Sequence, residues 1–106
     1  EVGHTPATIR ESLLEKVFEI GERFVAAVKR EYPPGPIGPF ALQSVITLDL
    51  EIYVYDVSPR VPGSPILTTT SPYSRDYHGK TIGTGRRISM EIKRAAQQSR
   101  LGEIIT

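Results

Sequence analysis

Between Tyr32 and Phe40 the chain reads Pro33-Pro34-Gly35-Pro36-Ile37-Gly38-Pro39, a stretch that no helix can cross. Proline has no N–H to give to a helix or a sheet and holds its own φ fixed, so structure must stop here and restart. The hydrophobic pattern changes at this barrier. Upstream, Leu13, Val17, Ile20, Phe24 and Val28 recur at helical spacing, flanked by Leu14, Phe18 and Val25. Glu15, Lys16, Glu19, Glu22, Arg23, Lys29 and Arg30 fall largely on the opposite side, as a solvated face would. The pattern predicts one long amphipathic helix packed on something apolar and ended by Pro33-Pro34-Gly35. Thr8-Ile9-Arg10-Glu11 has the spacing of a capping box, which predicts the helix start there. Glu1 to Ala7 reads as an extended lead-in carrying His4, either a solvated histidine or a site residue.

Beyond a stiff connector from Pro36 to Pro39, Phe40–Thr47 and Ile52–Val57 read as two antiparallel strands. A four-residue loop, Leu48 to Glu51, would set Thr47 opposite Ile52 and Gln43 opposite Asp56. Directly opposed residues share a face at about 4.5–5.5 Å between Cβ atoms, close enough for an amide oxygen and a carboxylate oxygen to hold one cation. The second strand runs into Asp56-Val57-Ser58-Pro59-Arg60 and should stop near Pro59. Alternation would project Asp56, Ser58 and Arg60 one way and Tyr55 and Val57 the other. A carboxylate and a hydroxyl are hard oxygen ligands of the kind magnesium takes, and an arginine can fork to phosphate. The plainer alternatives are a solvated strand end and a Gln43 that faces water.

Val61 to Gly83 is rich in Pro, Gly, Ser and Thr and reads as a long loop bearing Tyr73, Arg75, Tyr77 and His78. Thr84 is then positioned to cap a second helix with Ile88, Ile92, Ala95 and Ala96 as its buried stripe. Arg86 and Arg87 fall in its first turn, where the helix dipole disfavours cations; a bound anion would relieve that conflict, and so would two side chains pointing to water. Gly102 is the expected helix stop, with Glu103 to Thr106 running back as a short strand.

At 106 residues the chain is one domain's worth. Thirteen basic against twelve acidic residues leave a net charge of +1, which implies no nucleic-acid or membrane partner. There is no cysteine, so disulfide and thiolate chemistry are excluded and a cytoplasmic setting is the expectation. No apolar run approaches the roughly 20 residues of a membrane span. The first residue is Glu1 rather than Met, and a piece of something longer, or a processed product, is expected.

A helix, a strand with Gln43 and a strand closing on Asp56-Val57-Ser58-Pro59-Arg60 together resemble the last part of an ATP-grasp ligase. More specifically, Gly3-His4, Ile9-Arg10-Glu11-Ser12-Leu13-Leu14, Gly38-Pro39-Phe40-Ala41-Leu42-Gln43, Ser71-Pro72-Tyr73-Ser74 and Thr84-Gly85-Arg86-Arg87-Ile88 resemble, in order, the C-terminal region of the archaeal PurP family. These are the 5-formaminoimidazole-4-carboxamide ribonucleotide synthetases of purine (IMP) biosynthesis. The resemblance implies an α+β fold over residues 1–106, an antiparallel sheet with helices packed on one face. It implies that Gln43 and Asp56 are magnesium (Mg2+) ligands with Ser58 near the metal, and that Arg60 is a catalytic residue near the nucleotide phosphates. It also places His4 against the aminoimidazole carboxamide ribonucleotide and leaves Arg86 and Arg87 as phosphate candidates. ATP would phosphorylate formate, and the amine of the ribonucleotide would then attack the formyl phosphate. The partners implied are ATP, formate, that ribonucleotide, the N-terminal half of the same enzyme and further copies in a homo-oligomer.

The chain departs from the family at two points. Asp56 stands where the family usually has Glu, and Gly63-Ser64-Pro65 where it tends to have Gly-Thr-Asn. A catalytically silent paralogue, serving oligomerisation or regulation, therefore stays open as the alternative. Without a phosphate-covering half the isolated chain is expected to be inactive.

Overall fold

The computed structural model describes residues 7–61 and 72–105, which form two compact units. One spans Ile9–Gly63; the other is Ser64–Thr106 with Glu1–Thr8. His4 and the stretch from Pro62 to Ser71 lie outside the described residues.

In the first unit, helix α1 (Glu11–Glu31) carries the expected amphipathic pattern. Its start corrects the capping-box reading: Arg10 is the N-cap, and no side chain caps the end. The helix begins with the Leu13 N–H bonded to the Arg10 carbonyl at 3.0 Å, so Thr8 lies too far upstream to reach the open amides. Glu11 in the first turn and Lys29 and Arg30 in the last complement the helix dipole. Tyr32 closes the helix on the Val28 carbonyl, and Gly35 bonds back to the Tyr32 carbonyl at 2.9 Å. Gly35 adopts φ +109, and a Cβ there would sit 2.6 Å from Cγ of Lys29. Gly35→Ala is therefore expected to lower stability by about 1–3 kcal/mol, read as a lower urea midpoint, because backbone strain and a clash with the last helical turn add.

Strands β1 (Ala41–Ile46) and β2 (Ile52–Ser58) form the antiparallel hairpin, and β2 stops before Pro59 as expected. Its loop is shorter than predicted. Thr47 donates to the Glu51 carbonyl and Leu50 donates to the Thr47 carbonyl, both at 2.9 Å, while Leu50 takes φ 63. This is a three-residue loop, Leu48 to Leu50, made of a tight turn and a left-handed residue. Ile52 consequently pairs with Ile46, not Thr47. The expected pairing of Gln43 with Asp56 is nevertheless present, because Ser44 pairs with Val54 and the ladder shifts by one residue between Gln43 and Ser44. Tyr55 is the extra residue of a β-bulge.

On one face of the hairpin Phe40 meets Phe24 of α1, ring centroids 4.8 Å apart. Such a pair contributes about 0.5–1.5 kcal/mol beyond its burial. Leu42 lines an open, mainly apolar groove of about 660 Å³ with Val17, Phe18, Val25 and Ala26 of α1. The even-numbered residues of β1 therefore face the helix and the odd-numbered residues face away.

The second unit holds α2 (Pro72–His78), α3 (Thr84–Gln97) and α4 (Leu101–Ile104). Helix α2 corrects the reading of Val61 to Gly83 as structureless: Pro72 sits at the first helical position, where its missing N–H is harmless, and so begins a helix rather than breaking one. The N-cap of α3 is Gly83, not Thr84, and makes no side-chain cap. Ala95 is buried and Ile88 half-buried, whereas Ile92 and Ala96 of the expected stripe are exposed. Ile82, just ahead of the helix, is buried as well.

The C-terminal end also differs from expectation. Ser99 takes φ 56, its N–H bonds the Ala96 carbonyl at 3.2 Å, and the Arg100 N–H bonds the Ala95 carbonyl at 2.7 Å. That paired closure is a Schellman motif, so Ser99 stops α3, and the expected strand at Glu103 is instead the turn of α4 containing Gly102. Serine lacks glycine's freedom at positive φ. Ser99→Gly is expected to stabilise the unit by about 0.5–1 kcal/mol, seen as a higher urea midpoint.

Candidate metal and phosphate site on the hairpin

Cross-strand partners share a face, so the register assigns every residue of the hairpin to one side. Leu42, Ser44 and Ile46 lie with Val57, Val54 and Ile52 on the side of α1. Ala41, Gln43 and Val45 lie with Ser58, Asp56 and Tyr53 on the other. The bulge creates this sorting. Strict alternation along β2 would group Asp56 and Ser58 with Ile52 and Val54; the extra Tyr55 re-phases the strand so that the polar pair leaves the apolar face. A signal for it was present in the sequence. Apolar positions run Ile52, Val54 and then Val57, a slip from even to odd that a regular strand would not show.

Exposure along the outward face is graded. Ser58, at the Ala41 end, is buried, and no buried side-chain polar atom among the described residues lacks a hydrogen-bond partner. Gln43 is half-buried and Asp56 exposed, while Val45 and Tyr53 are 53% and 62% exposed. The face thus runs from a covered end to the exposed hairpin tip, with the amide–carboxylate pair between. Asp56 takes part in no hydrogen bond or ion pair through its side chain among the described residues, so both carboxylate oxygens are available. Arg60 lies beyond Pro59, exposed, with Nη1 donating to the Val61 carbonyl at 2.9 Å.

Among the described residues no group of three or more His, Asp or Glu side chains converges on a metal-sized space. Gln43 and Asp56 offer two hard oxygen donors on neighbouring strands. That donor set suits magnesium, which is held by one or two protein ligands and completes its shell with water and substrate phosphate. The apolar groove beside α1 lies on the opposite face and offers only Glu22 and Lys29 as charged groups.

Arg86 and Arg87 belong to the second unit, on the first turn of α3. Arg87 turns along the helix to pair with Glu91, four residues on. That hydrogen bond holds the Glu91 carboxyl below the usual carboxylate value, helped by Arg94 and Arg100. Arg86 forms no ion pair among the described residues and is the arginine free to meet an anion.

A family model described as a domain of unknown function, DUF1297, matches residues 1–106, and the chain belongs to that family. It is 47% identical over 106 residues to the 5-formaminoimidazole-4-carboxamide-1-(beta)-D-ribofuranosyl 5'-monophosphate synthetase of Sulfurisphaera tokodaii, covering 99% of this chain and 32% of that protein. The synthetase of the same name from Methanocaldococcus jannaschii is 45% identical over 105 residues, covering 98% of this chain and 29% of its own length. Among solved structures, the IMP biosynthesis protein PurP from Thermococcus kodakaraensis superposes with a TM-score of 0.74 at 34% identity, over 92% of this chain and 32% of that one. The chain therefore has the α+β fold of part of PurP, an ATP-grasp protein, and spans about a third of the length of these relatives.

Proposed function

We propose that this chain supplies the closing hairpin of an ATP- and magnesium-dependent ligase that joins formate to the amine of 5-aminoimidazole-4-carboxamide ribonucleotide. The observation that carries the reading is the Gln43–Asp56 pairing on the outward face, in a chain similar along its whole length to synthetases of that product. Gln43 and Asp56 would hold magnesium, which offsets charge on the ATP phosphates when bound. Ser58 would lie beside this pair from its covered end, and Arg60 would fork to a phosphate. In the reaction, a formate oxygen attacks the γ-phosphorus of ATP and ADP leaves. The ribonucleotide amine then attacks the formyl carbon, losing a proton as phosphate departs and the formamide forms.

His4 and Arg86 are further contacts in this reading, to the ribonucleotide and to phosphate. The N-terminal part found in the relatives would complete the site, and the isolated chain would be inactive. A homo-oligomeric, cytoplasmic enzyme of purine synthesis is the setting proposed. No helix among the described residues is long and apolar enough to cross a membrane. Asp56 in place of the usual Glu favours, as a second reading, a silent paralogue. The test is formate-dependent ADP release by the full-length protein with the ribonucleotide present. Release only when both co-substrates are added supports the ligase; ATP binding without turnover supports the paralogue.

A further inference from the structure

The bulge that carries Asp56 to the outward face also decides what stands beside it. Along that face the pair next to Gln43 and Asp56 is Val45 and Tyr53. On β1 the two positions are two residues apart, about 6.8 Å at the usual rise. Both members of the outer pair are open, Val45 at 53% and Tyr53 at 62%, whereas the opposite end of the same face closes over Ser58. The amide–carboxylate pair is thus followed, toward the hairpin tip, by an exposed aromatic residue paired with an aliphatic one.

We infer that Tyr53 is the stacking platform for the imidazole ring of the nucleotide substrate. The inference rests on the ligase reading above and deepens it. Two planar rings enter that reaction, adenine and aminoimidazole, and distance separates them. In that reading the amine must reach the formyl carbon, which a single oxygen joins to the phosphorus whose charge a metal at Gln43 and Asp56 would offset, so its ring would lie near that pair. Adenine is held away from the transferred phosphorus by the ribose and two further phosphates. Only the imidazole ring fits a platform one residue pair away. An aromatic face there gives a planar ring an offset-stacked seat and fixes the direction from which the amine approaches.

The experiment uses the full-length protein and three forms: unchanged, Tyr53→Leu and Tyr53→Phe. Tyr53→Leu keeps an apolar side chain but removes the π face; Tyr53→Phe keeps the ring and removes the hydroxyl. Binding of the aminoimidazole carboxamide ribonucleotide is measured by calorimetry, and KM for ATP by ADP release. For stacking, Tyr53→Leu weakens ribonucleotide binding about tenfold or more and moves KM for ATP less than about twofold, and Tyr53→Phe restores affinity to within about threefold of the unchanged protein. Equal affinity in Tyr53→Leu and the unchanged protein overturns the inference, as does a rise confined to KM for ATP. An unchanged protein that does not bind the ribonucleotide overturns the function proposed above, and this assignment with it. Circular dichroism of Tyr53→Leu separates a lost fold from a lost contact. If that variant unfolds, the Tyr53→Ser form in its place, equally without a ring, must show the same tenfold loss or the inference fails.

Discussion

Asp56→Asn in the full-length protein is expected to slow formate-dependent ADP release by roughly a hundredfold or more while leaving the fold intact. The exchange keeps the size of the side chain and removes one negative charge from the Gln43–Asp56 pair. A metal that offsets charge on the reacting phosphates loses several kcal/mol of transition-state stabilisation when a ligand is lost, and each ~1.4 kcal/mol is a factor of ten in rate. The fold has little to lose, because the Asp56 side chain is exposed and makes no hydrogen bond or ion pair among the described residues. Surface substitutions of that kind usually stay within about ±0.5 kcal/mol. Activity and thermal unfolding measured on one preparation give the answer. Unchanged turnover would remove Asp56 from the mechanism. A slower enzyme that also melts early would trace the loss to folding instead.

Leu13→Ala should do the reverse, lowering stability with no direct effect on the site. Leu13 is 4% exposed, the one buried residue described in α1. Truncating a buried leucine costs about 2–5 kcal/mol, through lost transfer energy and the cavity left behind. Against a typical stability of about 5–15 kcal/mol, that loss should lower the urea midpoint of the transition involving α1 by about 1 M or more. Leu48→Ala is the matched control. Leu48 is 103% exposed at the hairpin tip, and its truncation should move the midpoint by less than about 0.3 M. Similar shifts for the two leucines would mean that α1 is not anchored through Leu13.

The pairing of Gln43 with Asp56 was readable from sequence, but by a route the structure does not take. A four-residue loop and a regular ladder lead to the same pair as a three-residue loop followed by a bulge, since the bulge returns the residue the shorter loop removes. The two routes differ on the faces. In the regular ladder Asp56 would share its side with Ile52 and Val54; in the bulged one it shares it with Tyr53. Pair spacing along two strands does not distinguish them, because both are compatible with the same residue count. The slip in apolar phase at Val57 is the local mark of the bulge, and it gains meaning only once α1 is known to cover one face.

What the sequence by itself determined is what short-range chain geometry dictates. Pro33-Pro34-Gly35 ends α1, Pro59 ends β2, and the period of the apolar residues separates helix from hairpin. Tertiary structure decided the points where several residues compete for one conformational role. Ser99, rather than the more permissive Gly102, takes the left-handed position that closes α3, because that is where the Ala95 and Ala96 carbonyls come free. Leu50 takes another such position, φ 63, because a three-residue loop brings Ile46 opposite Ile52. Intrinsic preference disfavours each choice by about 1–2 kcal/mol. Hydrogen bonds around each turn, joined at Leu50 by apolar packing of the hairpin on α1, exceed that cost, and neither can be summed before the chain has folded.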